Sequence, residues 1–226
     1  PIGRHQSTFL AAHLASHGYV VAALDHSELV APELRRPEGD ESPAHRAARV
    51  QGWIDNRVPD VRFLIDEMLS RPDAGLDPHR IGIAGHSFGG WTALAAPESD
   101  PRIGSIVALA PGGSSNPPPG IIPATLTFDW GRDVPTLYIV AQDDSALPLA
   151  GMHELFLRTR ATKRFEVLAG ADHGHFFDEF DRVPGACPRE EAHRFVRGLA
   201  LAHYDATLKD SKAARAFWAR RGARRQ

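Results

Sequence analysis

Gly85-His86-Ser87-Phe88-Gly89-Gly90 stands between an apolar run, Arg80-Ile81-Gly82-Ile83-Ala84, and a helix-like run that begins at Trp91. Glycines two residues either side of a serine permit a tight strand-to-helix turn that lifts the hydroxyl into the open, where a base can reach it. Ser87 is the expected nucleophile. The helix that follows places the amide of Phe88 where a carbonyl oxygen gains negative charge in acyl transfer. A five-letter glycine–serine pattern also arises by chance in loops, but the buried strand before it and the helix after it are the context this turn requires.

Working outward, the 226 residues suffice for one sizeable core, so residues 1–226 are expected to form a single domain. A net charge of −2 gives no reason to expect a nucleic acid or an anionic membrane as partner. The basic stretch Arg215–Arg225 reads as a solvated helix end. No apolar run approaches the length needed to span a bilayer. Cys187 is the only cysteine, which excludes an internal disulfide and leaves the compartment open, as the sequence also leaves the oligomeric state. The twelve histidines are scattered, His173 and His175 being the only close pair, and without further ligands at metal spacing no metal is expected.

Five short apolar runs read as strands of a sheet buried on both faces: Tyr19–Leu24, Arg80–Ala84, Ser105–Leu109, Thr136–Ala141 and Arg164–Leu168. Helical patterns alternate with them. Phe9, Leu10, His13 and Leu14 form one, stopped by Gly18; Pro59 opens a second with Val61, Leu64, Ile65, Met68 and Leu69 on one stripe; Phe195 to Ala206 forms a third. Such alternation predicts an α/β fold with a mostly parallel sheet and helices on both faces. Ligands then bind beyond the carboxyl ends of the strands, where Ser87 lies. The polar or Gly/Pro-rich stretches Ser27–Pro43 and Pro111–Pro123 leave strand ends and are expected to wall the cleft.

A serine hydroxyl needs an imidazole to take its proton and a carboxylate to fix that imidazole. The strand Thr136–Ala141 runs into Asp143 and Asp144, and the strand ending at Leu168 leads through Gly170-Ala171-Asp172 to His173. Asp144 is favoured over Asp143 because the neighbouring aspartate can still cap the turn. His173 is the expected base, with His175 a pocket wall or a hydrogen-bonding neighbour. His86 is expected to pack beside the serine, and His86, Trp91 and His175 complete the candidate substrate-binding set.

These residues resemble the α/β-hydrolases. More narrowly, Leu14-Ala15-Ser16-His17-Gly18-Tyr19-Val20-Val21 with Asp25-His26, and the elbow itself, are similar to platelet-activating-factor acetylhydrolase-like, dienelactone-hydrolase-like and cutinase-like esterases. The resemblance covers nearly the whole chain and implies Ser87 as nucleophile, Asp144 of Asp144–Pro148 as acid and His173 as base. It implies hydrolysis of a small-molecule, lipid or polyester ester without metal or organic cofactor. Two departures narrow it: dienelactone hydrolases proper carry cysteine at the elbow, and platelet-activating-factor acetylhydrolases proper take their acid one strand earlier, where Pro111–Ser115 holds no carboxylate. In the family a strand ending in His-Gly precedes this chain's first helix, and the loop after it supplies a second oxyanion donor. The sequence begins at Pro1-Ile2-Gly3, just beyond that segment, so N-terminal strands are expected to be missing. The alternative expectation is a catalytically impaired hydrolase or a binding module.

Overall fold

The computed structural model describes residues 3–178 and 186–223. Four parallel strands, β1 (Ile81–His86), β2 (Ile103–Leu109), β3 (Thr136–Ala141) and β4 (Lys163–Leu168), pair in the order β1-β2-β3-β4. The carboxyl ends of β1 and β2 are level, since His86 pairs with Leu109, and those of β3 and β4 are level, since Ala141 pairs with Leu168; Leu109 pairs with Ile139, so the second pair runs two residues further in the same direction. Every residue of β3 is buried, as the continuous apolar reading of a central parallel strand requires.

The helices are α1 (Thr8–Ser16), α2 (Ser27–Val30), α3 (Pro43–Leu69), α4 (Phe88–Ser99), α5 (Leu149–Arg158), α6 (Arg189–Thr207) and α7 (Lys212–Ala223). They cover both faces. A Cβ on Gly82 would meet Tyr204 of α6, whereas the next residue, Ile83, packs with Val61 of α3 and Ala96 of α4; successive strand residues point to opposite faces. This is the α/β-hydrolase arrangement, with α4 leaving the sheet directly after Ser87. No helix among the described residues is long and apolar enough to cross a membrane.

Three elements differ from the sequence reading. Tyr19–Leu24 is extended but not a strand: it joins no ladder among the described residues, and Val20 and Val21 are exposed. An apolar run becomes a strand only where a neighbour meets its backbone groups, and β1, at the edge of the sheet, does not pair with it. The helix expected to open at Pro59 begins instead at Pro43, capped by Ser42, whose Oγ accepts the His45 N–H at 3.3 Å, and it runs straight through Pro59. Packing of Val58, Val61 and Ile65 against Ala96 and Ile103 outweighs the one backbone bond that the proline removes. The basic C-terminal stretch is not merely solvated, because α7 buries Ala214 and Trp218, Arg164 lies over the Trp218 ring, and Arg221 pairs with Glu166 at 2.5 Å.

The connection from β2 to β3, residues 110–135, carries no regular element, as expected for Pro111–Pro123, yet it is packed. Ala124, Leu126, Phe128 and Trp130 alternate inward along an extended segment laid over α4. Polar bonds hold it there: Trp91 Nε1 donates to Thr125 O at 2.8 Å, Trp130 Nε1 to Leu94 O at 3.0 Å, and Arg132 to the carbonyls of Pro97, Asp100 and Ile103.

Candidate active site

Ser87 sits between the last residue of β1 and the first of α4 with φ 57° and ψ −118°. A non-glycine residue is strained there, and such strain persists only where surrounding bonds over-determine it. Those bonds are present: the Ser87 N–H donates to Leu109 O at 3.0 Å, and the Ser87 carbonyl accepts from Trp91 N at 3.1 Å and Gly112 N at 2.9 Å. The glycines divide unexpectedly. A Cβ on Gly85 would lie 2.0 Å from Gly89 O, and one on Gly90 would lie 2.8 Å from Pro111 Cα, whereas one on Gly89 would meet nothing nearer than Arg57 Nη1 at 4.0 Å. Close approach therefore requires Gly85 and Gly90, and not the second glycine of the pattern. Phe88 opens α4, so its N–H has no place in the helix's own ladder.

Asp144 follows β3. Its side chain is fully buried, Oδ1 accepts the N–H groups of Ala146 at 2.9 Å and Leu147 at 2.7 Å, and Oδ2 lies 2.8 Å from His173 Nδ1. It caps its turn and holds the imidazole at the same time, so no neighbouring aspartate is needed as the cap. Asp143 is exposed and contributes its backbone N–H to Ala171 O at 2.9 Å. With Asp144 accepting at Nδ1, the His173 proton is placed there and Nε2 is left as the basic nitrogen. His173 stands beside the elbow, its ring centroid 4.4 Å from that of His86. No hydrogen bond joins Ser87 and His173 among the described residues.

The three expected substrate-binding residues have other occupations. His175 is 1% exposed; its Nδ1 accepts the Asp172 N–H at 2.9 Å, so Nε2–H donates to Cys187 O at 2.9 Å. Both ring nitrogens are used by backbone, and His175 braces the His173 turn instead of lining a pocket. Trp91 is buried, stacked on Phe88 at 5.2 Å, with its N–H committed to Thr125. His86 is buried against Phe176 and Phe177. Burial, and then the nearby His173, pushes the His86 pKa well below the usual imidazole value and keeps the ring neutral.

The profile of the family described as dienelactone hydrolase matches residues 2–220. The chain belongs to the dienelactone hydrolase family. Among curated proteins, this family member is 25% identical over 169 residues to cutinase 2 of Thermobifida cellulosilytica, covering 73% of this chain and 53% of that one. It is likewise 25% identical to cutinase cut1 of Thermobifida fusca, over 73% of this chain and 44% of the relative. The chain thus spans about half the length of the curated relatives it matches. A ferulic acid esterase from Streptomyces cinnamoneus superposes with a TM-score of 0.65 at 26% identity, over 92% of this chain and 66% of that one. A putative dienelactone hydrolase from Klebsiella pneumoniae shares the fold, with a TM-score of 0.54 at 18% identity over 74% and 68% of the two chains.

Several residues of this family member's site carry no sequence signal. Gln6 Nε2 lies 2.6 Å from His86 Nδ1, tying the N-terminal segment to the elbow. Asp178 accepts the N–H groups of Thr8 at 2.5 Å and Phe9 at 2.7 Å, which fastens α1 to the loop after His173. Asp172 accepts from Ser145 N at 2.5 Å and Ser145 Oγ at 3.0 Å, latching the Asp144 turn to the His173 turn. Burial alone would raise the Asp172 pKa, but these donors and His173 hold it below the usual carboxylate range. His26, Glu28 and Asp60 bring ligand-type atoms within 4.8 Å of one another. Protein groups already engage them: Asp60 accepts from Ser27 N at 2.8 Å and Ser27 Oγ at 2.6 Å and faces His26 Nδ1 at 3.0 Å, while Glu28 pairs with Arg57. The Ser27–Pro43 stretch, expected to wall the cleft, instead shapes with α3 a separate concavity of about 570 Å³, lined by Leu34, Arg36, His45 and Arg49 among others.

Proposed function

We propose that this chain is a serine-dependent carboxylic ester hydrolase that works through an acyl-enzyme. The observation that carries the reading is the buried Asp144–His173 hydrogen bond of 2.8 Å set beside the strained Ser87. In this mechanism His173 Nε2 takes the Ser87 proton as Oγ attacks the ester carbonyl, and the developing oxyanion is stabilised by the Phe88 N–H. Asp144 stabilises the imidazolium. His173 then gives its proton to the departing alcohol, leaving Ser87 acylated. Water repeats the sequence, with His173 as base, and releases the acid.

Relatives named as cutinases and a ferulic acid esterase support ester bonds as the target. The substrate class is an ester of a short or medium acyl group, presented as a small molecule, a lipid or a polyester. Serine at the elbow, with Cys187 carried in the segment that His175 braces, separates this reading from cysteine-based dienelactone chemistry.

Purified protein treated with a fluorophosphonate probe should be labelled on Ser87 and should hydrolyse p-nitrophenyl acetate, and Ser87→Ala should abolish both signals. Equal labelling and turnover in the two proteins would overturn the reading. Absence of both from folded wild type would overturn it too, and leave a binding module.

A further inference from the structure

Beneath the elbow lies a buried cation that the proposed reaction does not use. Arg57, in the middle of α3, is 6% exposed and is paired with Glu28 of α2, which is 2% exposed. Its guanidinium carbon stands 4.3 Å from the centroid of the Phe88 ring, and Nη1 runs along the first turn of α4 at Gly89. Trp91 stacks on the same ring at 5.2 Å with 16° between the planes.

Stability does not explain this placement. A buried ion pair is on average no more stabilising than apolar side chains of the same volume, and a cation beside the first turn of a helix opposes the helix dipole. Burial pushes the Arg57 pKa down, with Glu28 acting against that trend. What the pair does achieve is to hold the ring of Phe88, the residue whose N–H the proposed mechanism assigns to the oxyanion, immediately after a serine whose backbone is under strain. A ring packed between a planar cation and a stacked indole is restrained in its side-chain torsions, and this adds a restraint on Phe88 to the bonds that the Ser87 carbonyl of the same peptide accepts from Trp91 N and Gly112 N.

We propose that Arg57, fixed by Glu28, is a positioning residue: by locking the Phe88 ring it holds the Phe88 N–H on the oxyanion. The inference rests on the roles given above to Ser87 and Phe88. Misplacing a reacting group by about 1 Å costs roughly a hundredfold, and losing an oxyanion donor costs about a hundred- to a thousandfold. A loosened donor should therefore lower kcat by about ten- to a hundredfold.

The test removes both charges together, in E28Q/R57M, so that no lone charge is left buried. Expected results are a kcat for p-nitrophenyl acetate lower by about ten- to a hundredfold, KM within about twofold, and phenylboronate inhibition weakened by the same factor as kcat. R57K, which keeps a cation over the ring without the planar fork, should lie between wild type and the double variant. In a Phe88→Leu background, which keeps the N–H and removes the ring, E28Q/R57M should cost less than about twofold more. An unchanged kcat in folded E28Q/R57M, or the same fold loss in the Phe88→Leu background, would overturn the proposal. Should E28Q/R57M fail to fold, R57K in the two backgrounds decides by the same criteria. Ser87→Ala serves as control: activity in that variant refutes the serine mechanism itself, whereas an inactive Ser87→Ala with unaffected Arg57 variants refutes only the positioning role.

Discussion

The two glycines that flank Ser87 in the Gly-x-Ser-x-Gly pattern should respond oppositely to the same added methyl group. In Gly85→Ala the new Cβ would sit 2.0 Å from Gly89 O, 2.3 Å from Gly89 C and 2.9 Å from Gly90 N, all backbone atoms that cannot swing aside. Restoring an ordinary contact of 3.4 Å requires the first turn of α4 to move by about 1.4 Å relative to β1. Overpacking of this severity costs about 3 kcal/mol or more, which for a chain of this size lowers Tm by roughly 6–12 °C. The same displacement moves Ser87 and the Phe88 N–H, so kcat should fall by at least about a hundredfold. In Gly89→Ala the nearest atom outside the helix is Arg57 Nη1 at 4.0 Å, an ordinary contact. Alanine in a helix is favoured over glycine by about 0.5–1 kcal/mol, so Tm should rise by roughly 1–4 °C and kcat should change by less than about threefold. Thermal melts and p-nitrophenyl acetate kinetics on both variants measure these effects. A Gly85→Ala protein with wild-type Tm and kcat, or a Gly89→Ala protein as damaged as Gly85→Ala, would refute the steric reasoning.

Asp144→Asn should lower kcat by about three to four powers of ten, because the amide cannot stabilise the imidazolium, whereas Asp143→Asn should stay within about twofold; steady-state kinetics of the pair separates the two aspartates. His203 is fully buried, donates Nε2–H to Pro135 O at 3.2 Å, and has its pKa lowered by burial from 6.5 to about 4. Since the unfolded chain takes up this proton first, the His203 contribution to stability should be lost as pH drops from about 6.5 to about 4, by roughly 3 kcal/mol in all. Urea denaturation across that range should show a slope, and His203→Gln should make it shallower while leaving the part contributed by buried His86.

Local chemistry made much of this protein legible. Thr136–Ala141 is dominated by large apolar side chains because a central parallel strand has no solvent face, and it forms a strand, buried at every position, over those same residues. Gly18, at φ 82°, ends the first helical stretch, and Gly85-His86-Ser87 forms a strand-to-helix turn at the carboxyl end of β1. The order of serine, aspartate and histidine along the chain, each after a strand, was equally visible, because a parallel sheet delivers all its carboxyl ends to one side.

Other features depended on what lies alongside. Tyr19–Leu24 has the composition of a strand, but pairing is a relation between two segments and composition describes one. Pro59 reads as a helix start because its missing N–H is harmless in a first turn, yet α3 carries it in the interior, where contacts with Ala96 and Ile103 compensate. His175 reads equally as a pocket wall or a hydrogen-bonding neighbour of His173; only the fold reveals that backbone groups of Asp172 and Cys187 use both its nitrogens. The sequence by itself determined strands β1 to β4 and the turn at Ser87, because these follow from hydrophobic periodicity and glycine geometry over a few neighbouring residues. Tertiary structure alone decided which aspartate faces His173, which glycine is sterically required and that Arg57 grips Phe88, because each depends on distances between residues far apart along the chain.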